Sequence, residues 1–284
     1  MNIFVRKAYR GNCTFIFGMP RGGTTWLAEY LSTNLRSVYI HEPLGLYNSK
    51  VKKSGYNRFE YFSSEGQRKR ILNYVKELTE GIFNSNIIKN HQLWGLAYKK
   101  NLVLKFIKGS SLINDLAKDF SSEKFILLTR NPVDVISSQM KYGDLSQFYA
   151  QEFFNNPNKK SVSHNKQEIA INNTVEILAY TYGLNYSYLR NSKLHSNIMV
   201  ISYEELVDTP KRTISKISTF LNKSLPYNET LLKKESASTY SGMTTKAKNL
   251  KLTDDEVESI WGILKQMEVD LYLPTGEFNS AYFG

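Results

Sequence analysis

Apolar residues in this chain fall into short solid runs separated by stretches with helical spacing. Cys13-Thr-Phe-Ile-Phe17, Leu102-Val-Leu-Lys-Phe106, Phe125-Ile-Leu-Leu128 and Asn197-Ile-Met-Val-Ile201 are too short for helices and too continuous for one-sided strands. They predict strands buried on both faces. The first of these strands is expected over about 13–18. Between the strands the period changes. Trp26, Leu27, Tyr30, Leu31 and Leu35 recur on one face of a helix beginning near Thr24. Further helices are predicted over about 65–81, from Ser111 to Asp119, after Pro132, over about 166–190, from Pro210, and over about 254–267. Proline suits the first turn of two of them. A short strand, Ser37-Val-Tyr-Ile40, is predicted beside the first strand and runs into His41-Glu42-Pro43. Residues 44–64, 143–164 and 236–250 lack periodicity and read as loops. Strands alternating with helices predict an α/β fold, a central parallel sheet flanked by helices.

Length and composition narrow this only slightly. At 284 residues the chain suits one large domain, taken as 1–284, with ample core. No apolar run approaches the length of a membrane span. Arg6, Lys7 and Arg10 before an apolar run imitate a signal peptide, but that run enters a glycine-rich loop and reads as the first strand. With one cysteine, Cys13, no disulfide can form within the chain, which suits a reducing compartment; strand packing is its expected role. The formal charge of +11 fits a nucleic-acid or membrane partner, a basic surface, or a cleft for a polyanionic small ligand. Charge alone does not choose among them.

The loop after the first strand does choose. Gly18-Met-Pro-Arg-Gly-Gly-Thr-Thr25 joins a buried strand to a helix start, so backbone N–H groups and the positive helix end converge on an anion. Gly18 and Gly23 keep the Walker spacing and Thr25 takes the final hydroxyl position. The lysine position, however, is Thr24, and the cation has moved inside the loop to Arg21. Without that lysine, and without an aspartate ending strand 125–128, a triphosphate with Mg²⁺ loses its main partners. The cradle reads as P-loop-like and made for a phosphate with less need of a metal. A second anion site is expected about 105 residues on, where Arg130 follows the strand and Ser138 lies eight residues later on the next helix. Arginine at a strand's carboxyl end can grip a phosphate with two prongs. Both motifs sit where open α/β sheets bind ligands.

Phe17 to Leu27 resembles the 5′-phosphosulfate loop of the PAPS-dependent sulfotransferases (PAPS is 3′-phosphoadenosine 5′-phosphosulfate), and Phe125 to Ser138 resembles their 3′-phosphate motif. Gly22 departs from the pattern, standing where the family often has serine. The resemblance implies that Pro20, Arg21, Gly22, Gly23, Thr24 and Thr25 hold the phosphosulfate, that Arg130 and Ser138 hold the 3′-phosphate, and that no metal is required. It also makes Trp26 and Tyr203 candidates for contact with adenine, with core packing the competing role for Tyr203. Lys246 or Lys248 is a candidate for a late basic loop over the 3′-phosphate. PAPS would be the co-substrate and PAP (adenosine 3′,5′-bisphosphate) the product.

For the base that takes the acceptor proton, the resemblance points to Glu42, since many members carry a glutamate in this region. The branch that uses a histidine two positions after the strand lysine is not matched: Lys105 is present, but Ile107 occupies the histidine place. His41 and His91 are alternatives. Along an extended segment, only one of His41 and Glu42 should face the site. Lys105 and Arg21 would stabilise the leaving phosphate; a snorkelling edge lysine is the competing role for Lys105. The acceptor, a small molecule or a glycan sulfated on a hydroxyl or on an amine or amide nitrogen, would meet segments of about 44–100 and 143–165. The resemblance is to the soluble, cytoplasmic, bacterial-type members, with no nucleic-acid partner and no membrane span. Oligomeric state cannot be read. Two rival readings are a P-loop small-molecule kinase with a degenerate loop, and a PAPS- or nucleic-acid-binding protein without catalysis.

Overall fold

The computed structural model describes residues 2–4, 9–45, 65–84, 88–89, 99–141, 146, 150, 161–164, 167–229 and 251–284. Its elements in chain order are β1 (Asn2–Phe4), β2 (Cys13–Gly18), α1 (Thr24–Asn34), β3 (Val38–His41), α2 (Glu65–Thr79), β4 (Ile82–Asn84), β5 (Ile88–Lys89), β6 (Leu102–Phe106), α3 (Ile113–Asp119), β7 (Lys124–Thr129), α4 (Pro132–Lys141), β8 (Ser161–His164), β9 (Gln167–Ala170), α5 (Thr174–Tyr186), β10 (Ile198–Ser202), α6 (Tyr203–Asp208), α7 (Pro210–Leu221) and α8 (Asp254–Gln266). The main sheet has the order β10-β7-β2-β6-β3-β5. Its first five strands are parallel, and β5 is an antiparallel edge.

The solid apolar runs are solid because both faces are covered. Phe15, Phe17, Phe106 and Phe125 point to one side, where α5 and α8 pack; Ile16, Val103, Ile126 and Leu128 point to the other, against α1 and α7. The phenyl rings stack across strands, with centroids 4.5 Å apart for Phe15–Phe125 and for Phe17–Phe106. Each ring fully removed from water contributes about 2–3 kcal/mol, so the middle strands are the firmest part of the sheet.

This order places the site. From β2 the chain moves outward to β3, returns to lay β6 between them, and then crosses to the other side of β2 for β7 and β10. The connections leaving β2 and β7 therefore open at a switch point, over the carboxyl ends of the strands.

Two expectations are corrected. The strand after α1 does not lie beside β2; β6 separates them, with His41 in register with Lys105. A parallel partner needs a crossover, and the longer excursion through α2 delivers β6 into that slot. The helix predicted over 166–190 begins only at Thr174. Gln167–Ala170 pairs instead with Ser161–His164 as a hairpin, so the predicted loop 143–164 also contains a strand. The Asn172-Asn173 pair enforces the late start. Asn173 accepts from Glu176 N at 3.0 Å as the N-cap, and Glu176 Oε2 accepts from Asn172 N at 2.6 Å, satisfying donors that further helix would have used. The small β1–β4 pair, Asn2–Phe4 with Ile82–Asn84, was not foreseen.

Candidate active site

The loop after β2 is shaped by close approach. A Cβ at Gly18 would stand 2.5 Å from Leu128 O, so only glycine lets β2 and β7 close at this level. Gly23, just before α1, has φ 88° and a Cβ there would strike the Tyr203 ring at 2.5 Å. Arg21 also adopts a left-handed φ of 69°, a conformation that costs a non-glycine residue about 1–3 kcal/mol unless its surroundings hold it. They do. Arg130 Nη1 donates to Arg21 O at 2.9 Å, Arg21 Nε donates to Ser138 Oγ at 3.2 Å, and Gln139 Nε2 donates to Pro20 O at 2.9 Å. The two predicted anion motifs are thus joined through their own side chains.

Arg130 lies at the carboxyl end of β7. Its guanidinium carbon sits 4.3 Å from the centre of the Tyr203 ring, a cation–π contact. Its Nε is buried with no hydrogen-bond partner among the described residues. A buried donor without a partner is costly, and an anion at the switch point would satisfy it. Tyr203 itself stands between Gly23 and Arg130, joining the two anion loops. Thr24 and Thr25 are buried on the first turn of α1, while Trp26 is half-buried and stacks on Tyr30 at 5.7 Å.

The second half of the site is charged. Lys105 belongs to an inner strand and is 1% exposed, which removes the reading of a snorkelling edge lysine. Its Nζ donates to Thr25 Oγ1 at 3.0 Å and to Glu42 Oε1 at 2.6 Å. The sheet therefore connects the phosphate loop to the proposed base through one ammonium. Glu42 N donates to Lys105 O at 2.9 Å, continuing the β3–β6 ladder by one residue.

The expected alternation of His41 and Glu42 fails. Glu42 has φ 47°, and this left-handed turn swings its carboxylate back toward the imidazole instead of away from it. His41 Nε2 lies 3.2 Å from Glu42 Oε1, and His41 Nδ1 lies 3.2 Å from the Tyr39 hydroxyl. One ring nitrogen of His41 is thus within reach of Tyr39 and the other within reach of Glu42. Burial pushes the Glu42 carboxyl up. The His41 hydrogen bond and the Lys105 charge pull it down further, holding it at about 2.

Sequence reasoning missed Gln139, which ties α4 to the loop, and the supports behind Arg130: Tyr182, whose hydroxyl donates to Arg130 O at 2.8 Å, and Tyr272, in a terminal segment 143 residues from Thr129. No spacing links such residues. His91, Lys246 and Lys248 lie outside the described residues, as do most of 44–100 and 143–165. Among the described residues no group of three His, Cys, Asp or Glu side chains could hold a metal, and no helix is long and apolar enough to cross a membrane.

No curated protein sequence matches the chain significantly. Similar solved structures include the sulfotransferase domain of the Synechococcus olefin synthase, 16% identical over 95% of this chain and 100% of that one, TM-score 0.47. A mouse sulfotransferase in complex with PAP is 14% identical over 91% of this chain and 85% of that one, TM-score 0.45. A sulfotransferase from Alicyclobacillus acidocaldarius is 12% identical over 95% and 99%, TM-score 0.45. The sequence model of the sulfotransferase domain matches residues 12–269. Because that match covers most of the chain, including Gly18 to Thr25, Glu42, Lys105 and Arg130, the chain belongs to the sulfotransferase family.

Proposed function

We propose that the protein moves the sulfuryl group of PAPS to a hydroxyl or to an amine or amide nitrogen of a small-molecule or glycan acceptor, with Glu42 as the base. The observation that carries this reading is the buried bridge from Thr25 through Lys105 to Glu42. It places a cation and a carboxylate side by side at the mouth of the phosphate loop, and transfer chemistry needs both there.

The residues fit the nucleotide. The glycine-lined loop supports a phosphosulfate role, and the buried, unpartnered Nε of Arg130 supports a further anion at the 3′ position. Pro20 to Thr25 would hold the 5′ end, Arg130 and Ser138 the 3′-phosphate, and Trp26 and Tyr203 the base ring. When bound, PAPS supplies an activated sulfuryl group and a 5′-phosphate that departs with the electron pair of the broken S–O bond.

The chain's own part is to move one proton and steady charge. Glu42 takes the proton from the acceptor. Its carboxyl, held near 2 by His41 and Lys105, is a weak proton sink while both stay bonded to it. Lys105 has two partners in reach, and as it leans toward Thr25 and the loop it strengthens Glu42 as a base. Arg21, whose Nε donates to Ser138 Oγ at 3.2 Å, adds a second cation to the loop. We propose that residues 1–284 act as one domain, with the acceptor met by about 44–100 and 143–165.

Calorimetry with PAP and with AMP tests the nucleotide reading. PAP should bind at least tenfold tighter, the difference expected of a second charge-assisted anion contact of about 1.5–3 kcal/mol. Equal affinities would remove the two-anion site.

A further inference from the structure

Resting on that reading, we propose that Glu204 and Tyr272 are positioning residues for the 3′-phosphate arginine, and that together they set how well the protein tells adenine nucleotides with a 3′-phosphate from those without one.

Arg130 is carried by the turn Thr129-Arg130-Asn131, and its side chain reaches forward to Arg21 O and the Tyr203 ring. The backbone is fixed from behind. Glu204 Oε1 accepts from Asn131 N at 3.0 Å, and Glu204 Oε2 accepts from the Tyr272 hydroxyl at 2.7 Å. The same hydroxyl lies 3.3 Å from Thr129 Oγ1. One carboxylate and one phenol thus hold the residues on either side of Arg130.

Each partner is itself held. Glu204 stands on the first turn of α6, where Ser202 caps the helix by accepting from Glu205 N at 3.0 Å. Tyr203, the preceding residue, lies under the Arg130 guanidinium. Tyr272 is 2% exposed and belongs to a tight terminal hairpin, bridged to Phe278 and closed by Leu273 N to Glu277 O at 2.9 Å. Its ring meets Phe278 edge-on at 5.5 Å. Burial, together with the Glu204 charge, raises the Tyr272 phenol, so it stays a donor.

Chemistry argues that these groups serve position. A carboxylate this close to an anion site repels the anion, so charge alone would weaken binding. Its contribution is geometric: it occupies the N–H of Asn131, a donor that the start of α4 leaves without a helical partner. A two-pronged arginine contact depends on the plane and direction of the guanidinium, which the turn sets. The hydroxyl of Tyr272 likewise adds nothing to packing that phenylalanine would not.

The test uses calorimetry with PAP and AMP, and thermal melting, on the full chain. Tyr272→Phe and Glu204→Ala should each raise the PAP Kd by about 5–30-fold and leave the AMP Kd within about twofold, as expected for lost support of a charged hydrogen bond. Glu204→Gln, which keeps an acceptor for Asn131 N, should recover most of the PAP affinity; if Glu204→Ala does not fold, Tyr272→Phe carries the test. Tyr282→Phe is the control: it removes another phenol bond, to Tyr186 O at 2.8 Å, away from the turn. It should lower Tm as much as Tyr272→Phe and leave PAP binding unchanged. The inference is overturned if Tyr272→Phe and Glu204→Ala bind PAP as tightly as the wild type, lose PAP and AMP equally, or behave like Tyr282→Phe. If the wild type itself binds PAP and AMP alike, the two-anion reading falls, and this inference with it.

Discussion

The two ends of the candidate site are held in different ways. At the β7 end, the turn carrying Arg130 is fixed by neutral or singly charged hydrogen bonds to backbone atoms: Tyr182 on Arg130 O, and Glu204 on Asn131 N. At the β3 end, Glu42 is held by charge, through a buried ammonium 2.6 Å away and an imidazole 3.2 Å away, and by a backbone forced to positive φ. The first arrangement ties backbone atoms to side chains. In the second, one ammonium reaches both Thr25 and Glu42. A phosphate to be recognised needs a fixed partner. A proton to be moved needs groups whose charge can change, and such groups cluster where catalysis occurs.

Substitutions should separate the two ends. The largest effect is expected for Glu42→Gln. Turnover should fall by about 10²–10⁴-fold, the usual contribution of a general base, with PAP affinity within about twofold; full activity would remove Glu42 as the base. The same variant has a pH signature. The folded carboxyl is depressed to about 2 from its ordinary 4.5, so its stabilisation is present above 4.5 and is lost as pH falls through 2. The Tm gap between wild type and variant should therefore close on acidification from pH 5 to 2.

Next comes Lys105→Met. Steady-state kinetics should show about a 10²-fold or greater loss of kcat if Lys105 stabilises the leaving oxygen; a loss of Tm with kcat intact would make it purely structural. Arg130→Ala should act at the other end, raising the PAP Kd by about 10–100-fold through one lost charged contact, with AMP binding little changed. A change confined to kcat would break the division between a recognising end and a reacting end. The smallest effect is expected for Tyr182→Phe, which removes one buried neutral hydrogen bond. It should cost about 0.5–1.5 kcal/mol in denaturant unfolding and leave kcat unchanged.

The sequence was informative wherever chemistry is local. Gly18, Gly23, Thr25 and Arg21 lie within one loop, so their spacing alone suggests an anion cradle. Arg130 and Ser138 are read in the same way from a strand end and the next helix. It failed where a residue's environment depends on distant elements. Period-2 alternation separated His41 from Glu42, because nothing in His-Glu-Pro reveals a left-handed glutamate. The helical reading of 166–190 missed the hairpin, since β9 is defined by a partner strand rather than by its own pattern. Cys13 met its expected role, packing in β2 at 3% exposure.

The sequence by itself determined the α/β alternation and proposed the phosphate loop and the second anion motif, because helix period, strand burial and loop chemistry are properties of short segments. Only the tertiary structure decided that β6 stands between β2 and β3, placing Lys105 between Thr25 and Glu42. It also decided that Tyr272 reaches back to Thr129 and Glu204. Those placements arise from sheet order and chain crossover, which bring residues together by burial rather than by spacing.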